Sequence, residues 1–416
     1  MTGKIVALLL CTTGVVYAAP VCAQMNVWPD PIVQERAFEI PMWITPLVTD
    51  SSGVIGRAQR LEEVIYSDLK FTGLFRIVRT APTSIGMSKS KYSVSVTGRV
   101  TTETDGVYFE GRVSDVTSGD FIGGKKYRLD EGSLRRVAHH FADEVVRLVT
   151  GEQGVAQTKI VYVRHQKGIW ELVLCDYDGY DPHVIIRQRV PLLNPRFADR
   201  EQAVIYSTYR DGKPDLYIRY LRDSGSQPLA TFPGTNSTAD WSDRTRLILA
   251  ALTRDGDSEI YLLEMSGKIR RRLTHNRAID TSPSWSPGGQ ELVFVSDRSG
   301  TPQLYIMERD GGNVRRLTFT GGYNATPAWS PKGDVIAFVA RMGAEFQIAT
   351  ITPDGTDGRL VTKSAGSHED PRWAPDGRHI AYTERGANDE VISVIDIRTG
   401  GKRILAQGAN PDWSAP

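Results

Sequence analysis

"TSPSWSPGGQELVFVSDRSG" occupies residues 281–300, and a closely similar line, "ATPAWSPKGDVIAFVARMG" (325–343), begins 44 positions later. The shared text is a Trp followed by a small residue and a Pro, a Gly turn, then an apolar run. Searching for it finds six anchors: "PRFAD" (195–199), "ADWSD" (239–243), "PSWSP" (283–287), "PAWSP" (327–331), "PRWAP" (371–375) and "PDWSA" (411–415). Their aromatic residues, Phe197, Trp241, Trp285, Trp329, Trp373 and Trp413, are spaced 44, 44, 44, 44 and 40 apart. A fixed period of this size marks a repeat architecture and has to be settled before any other fold reading.

The register holds inside each unit. Seven residues after the anchor stand Val204, Ile248, Leu292, Ile336 and Ile380, and two further on Tyr206, Ala250, Phe294, Phe338 and Tyr382. That alternation is the period of a strand. Leu216, Ile260, Leu304, Ile348 and Ile392 continue the pattern nineteen residues after the anchor, and Leu229, Leu273, Leu317, Val361 and Leu405 thirty-two after it. With the short strand at the anchor itself, each unit holds four strands, which is one propeller blade. Extended backward, the register finds Ile160, Tyr162, Leu172 and Ile185 but no anchor, whereas "NPDWSAP" (410–416) is an anchor without a blade. The two fragments complete each other. The expected fold is mostly β with a smaller α/β domain: a six-bladed β-propeller over 158–416, closed by the C-terminal strand so that no sheet edge stays open.

Residues 37–151 carry no such repeat. "VIGRAQRLEEVIYSDLKFTG" (54–73) places Val54, Ala58, Leu61, Val64, Ile65 and Leu69 at helical spacing, with Ser51 and Ser52 as cap candidates and Gly73 as the stop. "EGSLRRVAHHFADEVVRLVTG" (131–151) repeats the pattern and ends at Gly151, while "AFEIPMWITPLVT" (37–49), "YSVSVTGRV" (92–100) and "VYFEGRVSDV" (107–116) read as strands. The prediction is a small N-terminal α/β domain, joined to the propeller by a linker at 152–157. Ahead of it, Lys4, the apolar stretch 5–19 and the small residues of "VCA" (21–23) predict a secretory signal peptide over 1–23, followed by a flexible segment, 24–36.

The chain of 416 residues carries 50 basic and 49 acidic side chains, so no overall field draws it to nucleic acid or an anionic membrane. Removing residues 1–23 leaves one of the three cysteines, Cys175, and one thiol cannot form an internal disulfide. The seven histidines are scattered, and no Gly-x-Ser-x-Gly elbow or His-x-x-x-His pair occurs. "DYDG" (176–179) lacks the twelve-residue calcium loop and reads as a hairpin turn. No metal, cofactor or catalytic residue is expected.

The repeat also predicts a binding surface. Three residues before each anchor aromatic stand Asn194, Thr238, Ser282, Thr326, Asp370 and Asn410, all short and polar, five of them followed by Pro. At the entry to the innermost strands they should ring one mouth of the channel. Next to them the text diverges, as Asn236, Asp280, Thr281, Asn324, His368 and Glu369. Variable side chains on a rigid frame suit recognition.

Taken together, the leader, the α/β domain and units written as "PxWSPxG…IAFxSxRxG…IYxMxxDGGxxRRLT" resemble the TolB family of the Tol–Pal system. "SLRRVAHHFADEVVRLVTG" (133–151) and "LCDYDGYDPHVI" (174–185) add to the likeness, which spans essentially all of the chain after residue 23. The resemblance implies a non-catalytic adaptor in the periplasm that supports outer-membrane integrity and invagination during cell division. It implies the lipoprotein Pal at the channel mouth, and TolA on the 24–36 segment through Met25, Asn26, Val27, Trp28, Ile32 and Val33. Other outer-membrane proteins are further candidate partners. Pro29 and Pro31 limit how that segment pairs as a strand. The alternative is a periplasmic propeller enzyme, a lyase or glycan-acting protein, using the channel mouth as a cleft.

Overall fold

The computed structural model describes residues 28–29, 39–79, 93–223, 225–387 and 389–415. The expected signal peptide, and all of 24–36 except Trp28 and Pro29, lie outside the described residues.

The N-terminal region is a six-stranded sheet covered on one face by two helices. Its strands are β1 (Ile40–Ile44), β2 (Val48–Thr49), β3 (Phe75–Val78), β4 (Val94–Glu103), β5 (Gly106–Asp115) and β6 (Phe121–Arg128), in the order β3-β1-β4-β5-β6 with β2 on β4. β1 pairs in parallel with β3 and β4, and β4, β5 and β6 form an antiparallel meander. Helix α1 (Ile55–Phe71) contributes Leu61, Ile65 and Leu69 to the core. Helix α2 (Leu134–Thr150) adds Phe141 and Val145, against Val96, Val100, Phe109 and Val113 of the sheet. Phe141 lies directly over Gly111, where a Cβ would come within 2.3 Å of its ring.

Both helices stop where the sequence says, at Gly73 (φ +58°) and Gly151 (φ +73°), each in the left-handed region that favours glycine. The start of α1 differs from expectation. Ser51 makes no capping bond, and a 3-10 turn over Ser52–Val54 leads into the helix instead. Asp130 and Ser133 form a reciprocal capping box before α2. The sequence reading missed β3, which is only four residues long, and β6, whose Gly123-Gly124 pair dilutes its strand character.

Six four-stranded sheets follow as blades around a channel, the first over Lys159–Gln188 with Ala409–Trp413 and the second to sixth beginning at Leu192, Asn236, Asp280, Asn324 and Ser367. Each anchor aromatic pairs across its hairpin with the apolar residue seven positions on: Phe197 with Val204, Trp241 with Ile248, Trp285 with Leu292, Trp329 with Ile336, Trp373 with Ile380. The sixth pair is Trp413 with Ile160, which joins Ala409–Trp413 to β7 (Lys159–Gln166), β8 (Ile169–Asp176) and β9 (His183–Gln188). The anchor tryptophans fill the space between neighbouring blades. Trp413, for example, packs among Ile160 and Tyr162 of one blade and Ala381, Ile392 and Val394 of the next. The small residue after the aromatic can fasten the hairpin: Ser286 Oγ donates to Glu291 O (2.8 Å) and accepts from Glu291 N–H (3.0 Å).

The N-terminal region attaches at the closing blades. Asp68 of α1 accepts a bond from Tyr177 Oη (2.7 Å) and lies 2.7 Å from His139 Nδ1 of α2. Phe71 stacks on His379 at 4.5 Å, and Arg378 reaches Gly73 O (3.0 Å) while pairing with Asp396.

Trp413 is 6% exposed and donates from Nε1 to Thr158 Oγ1 at 2.7 Å. Truncating it to Ala leaves a cavity at the closure and should cost about 3–5 kcal/mol. Removing the exposed Ile404 side chain should cost under about 0.5 kcal/mol. Urea midpoints of the two variants check this, and equal midpoints would contradict the closure role.

Candidate functional site

The six short polar residues three before the anchors share one backbone state. Asn194, Thr238, Ser282, Thr326, Asp370 and Asn410 have φ between 40° and 54°. Each sits at a register shift where its inner strand carries one extra residue against its partner. These are β-bulges with a left-handed residue, a conformation that Asn and Asp tolerate because a short polar side chain bonds locally. The composition of this column is therefore set first by the backbone. Around it the side chains interlock: Asp370 Oδ2 accepts from Asn410 Nδ2 (2.6 Å) and Thr383 Oγ1 (3.2 Å), and Ser282 N donates to Thr238 Oγ1 (3.3 Å). All six are half-buried.

Two residues nearer the loop the expectation needs correction. Asn236, Asp280, Asn324 and His368 are fully buried and offer no surface to a partner. Three of them latch one blade to the one before. Asn236 Nδ2 donates to Asp215 Oδ1 (2.7 Å), Asn324 Nδ2 to Gln303 Oε1 (2.9 Å), and His368 Nδ1 lies 2.9 Å from Gln347 Oε1. Asp280 accepts from Arg298 (2.7 Å) and Asn276 (2.7 Å). A polar side chain taken out of water keeps its place only when paired, and these four are paired inward. Thr281 and Glu369 remain half-buried at the rim, Glu369 held by Arg385 at 3.0 Å.

A second column, two residues further along each inner strand, holds chemistry that the sequence reading passed over. The residue just before each anchor aromatic is Arg196, Asp240, Ser284, Ala328, Arg372 or Asp412. Asp412 accepts from Phe197 N (2.7 Å), Asp240 from Trp285 N (2.8 Å) and Ser284 Oγ from Trp329 N (3.2 Å), so this column ties neighbouring blades at three places. Burial pushes Asp240 up to about 7, against the pull of the Trp285 N–H and Arg196. Burial likewise lifts Asp412 to about 6 despite Arg196. Asp240, Arg372 and Asp412 line a cavity of about 530 Å³ with the anchor tryptophans and Gln153 of the interdomain linker. The signal was present, as a charged column inside an otherwise apolar motif, but the tryptophans beside it dominated the pattern.

Of the residues expected to contact TolA, only Trp28 can be placed; Met25, Asn26, Val27, Ile32 and Val33 lie outside the described residues. Trp28 is buried (4% exposed) in the apolar core shared by the fourth and fifth blades, edge-on to Phe338 at 5.1 Å. Gly358 makes room for it, since a Cβ there would lie 2.2 Å from the indole. Pro29 O accepts a bond from Leu360 N (2.8 Å), so the segment pairs with the blade through its carbonyl, which proline retains. Docked in this way, Trp28 is not open to a partner.

Among the described residues no three His, Cys, Asp or Glu side chains gather as a metal site, and no helix is long and apolar enough to cross a membrane. The family profile for the "TolB beta propeller domain" matches residues 146–416. The chain belongs to the TolB propeller family. Among its curated relatives, the "Tol-Pal system protein TolB" of Bordetella parapertussis is 35% identical over 241 residues, 56% of this chain and 53% of that one. The protein of the same name from Methylobacillus flagellatus is 32% identical over 219 residues, 50% of each chain. The chain thus spans about half the length of the curated relatives it matches. Among solved structures, TolB from Acinetobacter baumannii aligns over 93% of this chain and 98% of its own, with a TM-score of 0.79 at 23% identity. That likeness carries the fold, N-terminal sheet included.

For this TolB-family propeller the Asp240 carboxyl makes stability depend on pH. Its native pKa of about 7 exceeds the ordinary value of 3.8, so between these limits the folded chain holds a proton that the unfolded chain has released. Stability therefore falls as pH rises from about 4 to about 7. Asp240→Asn keeps an acceptor for Trp285 N–H and removes the charge. Because channel water reaches this half-buried side chain, the expected gain at pH 8 is on the order of 1–3 kcal/mol, with little gain at pH 4. Urea midpoints at the two pH values check it, and parallel profiles for variant and parent would refute it.

Proposed function

We propose that the protein is a non-catalytic adaptor of the Tol–Pal system in the periplasm. In this reading it links Pal, on the outer-membrane side, to TolA, on the inner-membrane side, and supports outer-membrane integrity and invagination during division. What supports it is family membership together with relatives named for the Tol–Pal system. In this reading the six bulged positions, Asn194, Thr238, Ser282, Thr326, Asp370 and Asn410, would face a partner at a channel mouth on a frame tied blade to blade, so little ordering would be lost on docking. Pal would seat there, contacting Thr281 and Glu369 at the rim. TolA would take the 24–36 segment through residues on either side of the docked Trp28.

Asn194→Trp and Thr326→Trp should each weaken Pal binding about tenfold or more while the thermal midpoint stays within a few degrees. Deleting 24–36 should abolish TolA capture and leave Pal capture in place. Titration with purified partners reads both arms. Unchanged Pal affinity in both tryptophan variants would remove the mouth from the reading, and TolA capture by the truncated chain would remove the segment.

A further inference from the structure

Between the end of α1 and the sixth blade lies a cavity of about 370 Å³, lined by Lys70, Phe71, His379, Asp396, Lys402 and Arg403 among others. Its charges do not cancel. Asp396 is held by two bonds from Arg378, Nε at 3.0 Å and Nη2 at 2.6 Å, and His379 Nδ1 lies 2.6 Å from Asp376. Lys402 is taken by Glu384 at 2.9 Å. Two cations are left over. Lys70 is exposed and, among the described residues, has only the ring of Tyr66, 5.9 Å away. Arg403 has no carboxylate within ion-pair reach among the described residues.

Arg403 is the more telling of the two. Its guanidinium lies 3.7 Å from the centre of the Phe71 ring and 5.5 Å from that of Tyr177. Among the described residues its one side-chain hydrogen bond is a long one, from Nη2 to Tyr177 O at 3.4 Å, and its Nε is buried without a partner. Burial lowers its pKa, the direction expected of a guanidinium whose surroundings supply too little negative charge. Tyr177 Oη offers no relief, being committed to Asp68. Of the carbonyls at and just beyond the end of α1, Leu69 O takes Thr72 Oγ1 (2.7 Å) and Gly73 O takes Arg378 (3.0 Å). A planar, stacked cation with free donors is a good receptor for a carboxylate or phosphate group.

We infer that this cavity is an anion site, in which one carboxylate or phosphate group bonds Arg403 and is drawn in by Lys70. The group could belong to a free small anion or to an acidic side chain of a partner; the chemistry at Arg403 is the same. Because Phe71 belongs to α1 and Arg403 to the sixth blade, the bound anion would brace the junction between the two parts of the chain.

The test uses the full mature chain at constant ionic strength, titrated separately with inorganic phosphate, with succinate and with a glutamate-rich hexapeptide. The readouts are the thermal midpoint and the NMR signal of the Arg403 Nε–H. The inference expects a saturable response, weakened about tenfold or more in Arg403→Gln and severalfold in Lys70→Gln. Lys70 lies on the surface, so its variant keeps the test valid if loss of Arg403 disturbs folding. Saturation by phosphate or succinate assigns the site to a free anion, and saturation by the peptide alone assigns it to a partner's side chain. No saturable response to any of the three, or responses equal in parent and Lys70→Gln, would overturn the inference.

Discussion

The pairing of Ala409–Trp413 with β7 governs the rest of the molecule. It joins segments 255 positions apart, counted from Thr158 to Trp413, and turns five complete blades and one partial blade into a ring. The entropy of closing so large a loop grows only slowly, by about 0.6 kcal/mol per doubling of length. Opposing it are a buried indole, the Trp413–Thr158 bond and the Ser414–Lys159 bond. The same place carries the attachment of the N-terminal region, since Tyr177 lies in the blade that is completed and Arg378, His379 and Arg403 in the blade before it. Phe71 lies 6.4 Å from Trp413 itself. Closing the ring and docking α1 therefore share side chains, and loosening one would loosen the other.

The repeat made the propeller legible because each blade reuses one register, and the anchor-to-strand pairing was readable from the spacing of Trp285 and Leu292 alone. What a polar column does was harder to read. Asn194 and Asn236 are the same residue type at nearby positions, yet one bends an inner strand and the other is sealed between blades. Asn serves both left-handed backbone and buried amide bonding, so its identity cannot separate them. The bulge decides the matter, and a bulge is a property of two strands. The charged column of Arg196, Asp240, Arg372 and Asp412 escaped notice for a related reason: its members differ in sign, and only the ring brings them together.

In the N-terminal region the helices were legible from apolar spacing and the glycines that end them. β3 and β6 were not, because neither carries its own signal. β3 is a short parallel partner of β1, and β6 is an edge whose outward residues include Lys126 and Arg128. Charge along an edge discourages pairing between molecules, which explains why such a strand looks unlike one. The docking of Trp28 was likewise invisible, since it needs the room left by Gly358 some 330 positions away in a blade whose text repeats without it.

The junction between the two parts of the chain is built from paired charge rather than from apolar surface alone. Asp68, His139 and Tyr177 come from α1, α2 and the first blade, and Arg378 and Asp396 from the sixth. Paired ions in a buried interface add little net stability over apolar packing, but a mispaired one is costly. An interface of this kind tolerates few alternative orientations, because any slip strands Asp68 or Arg378 without its partner. A surface of leucines would permit sliding. Arg403 is the exception within that network, a guanidinium stacked on two rings with donors unspent, and the geometry that pins its neighbours leaves it open. An interface that pairs Asp68 and Arg378 so closely leaves room for a ligand at Arg403.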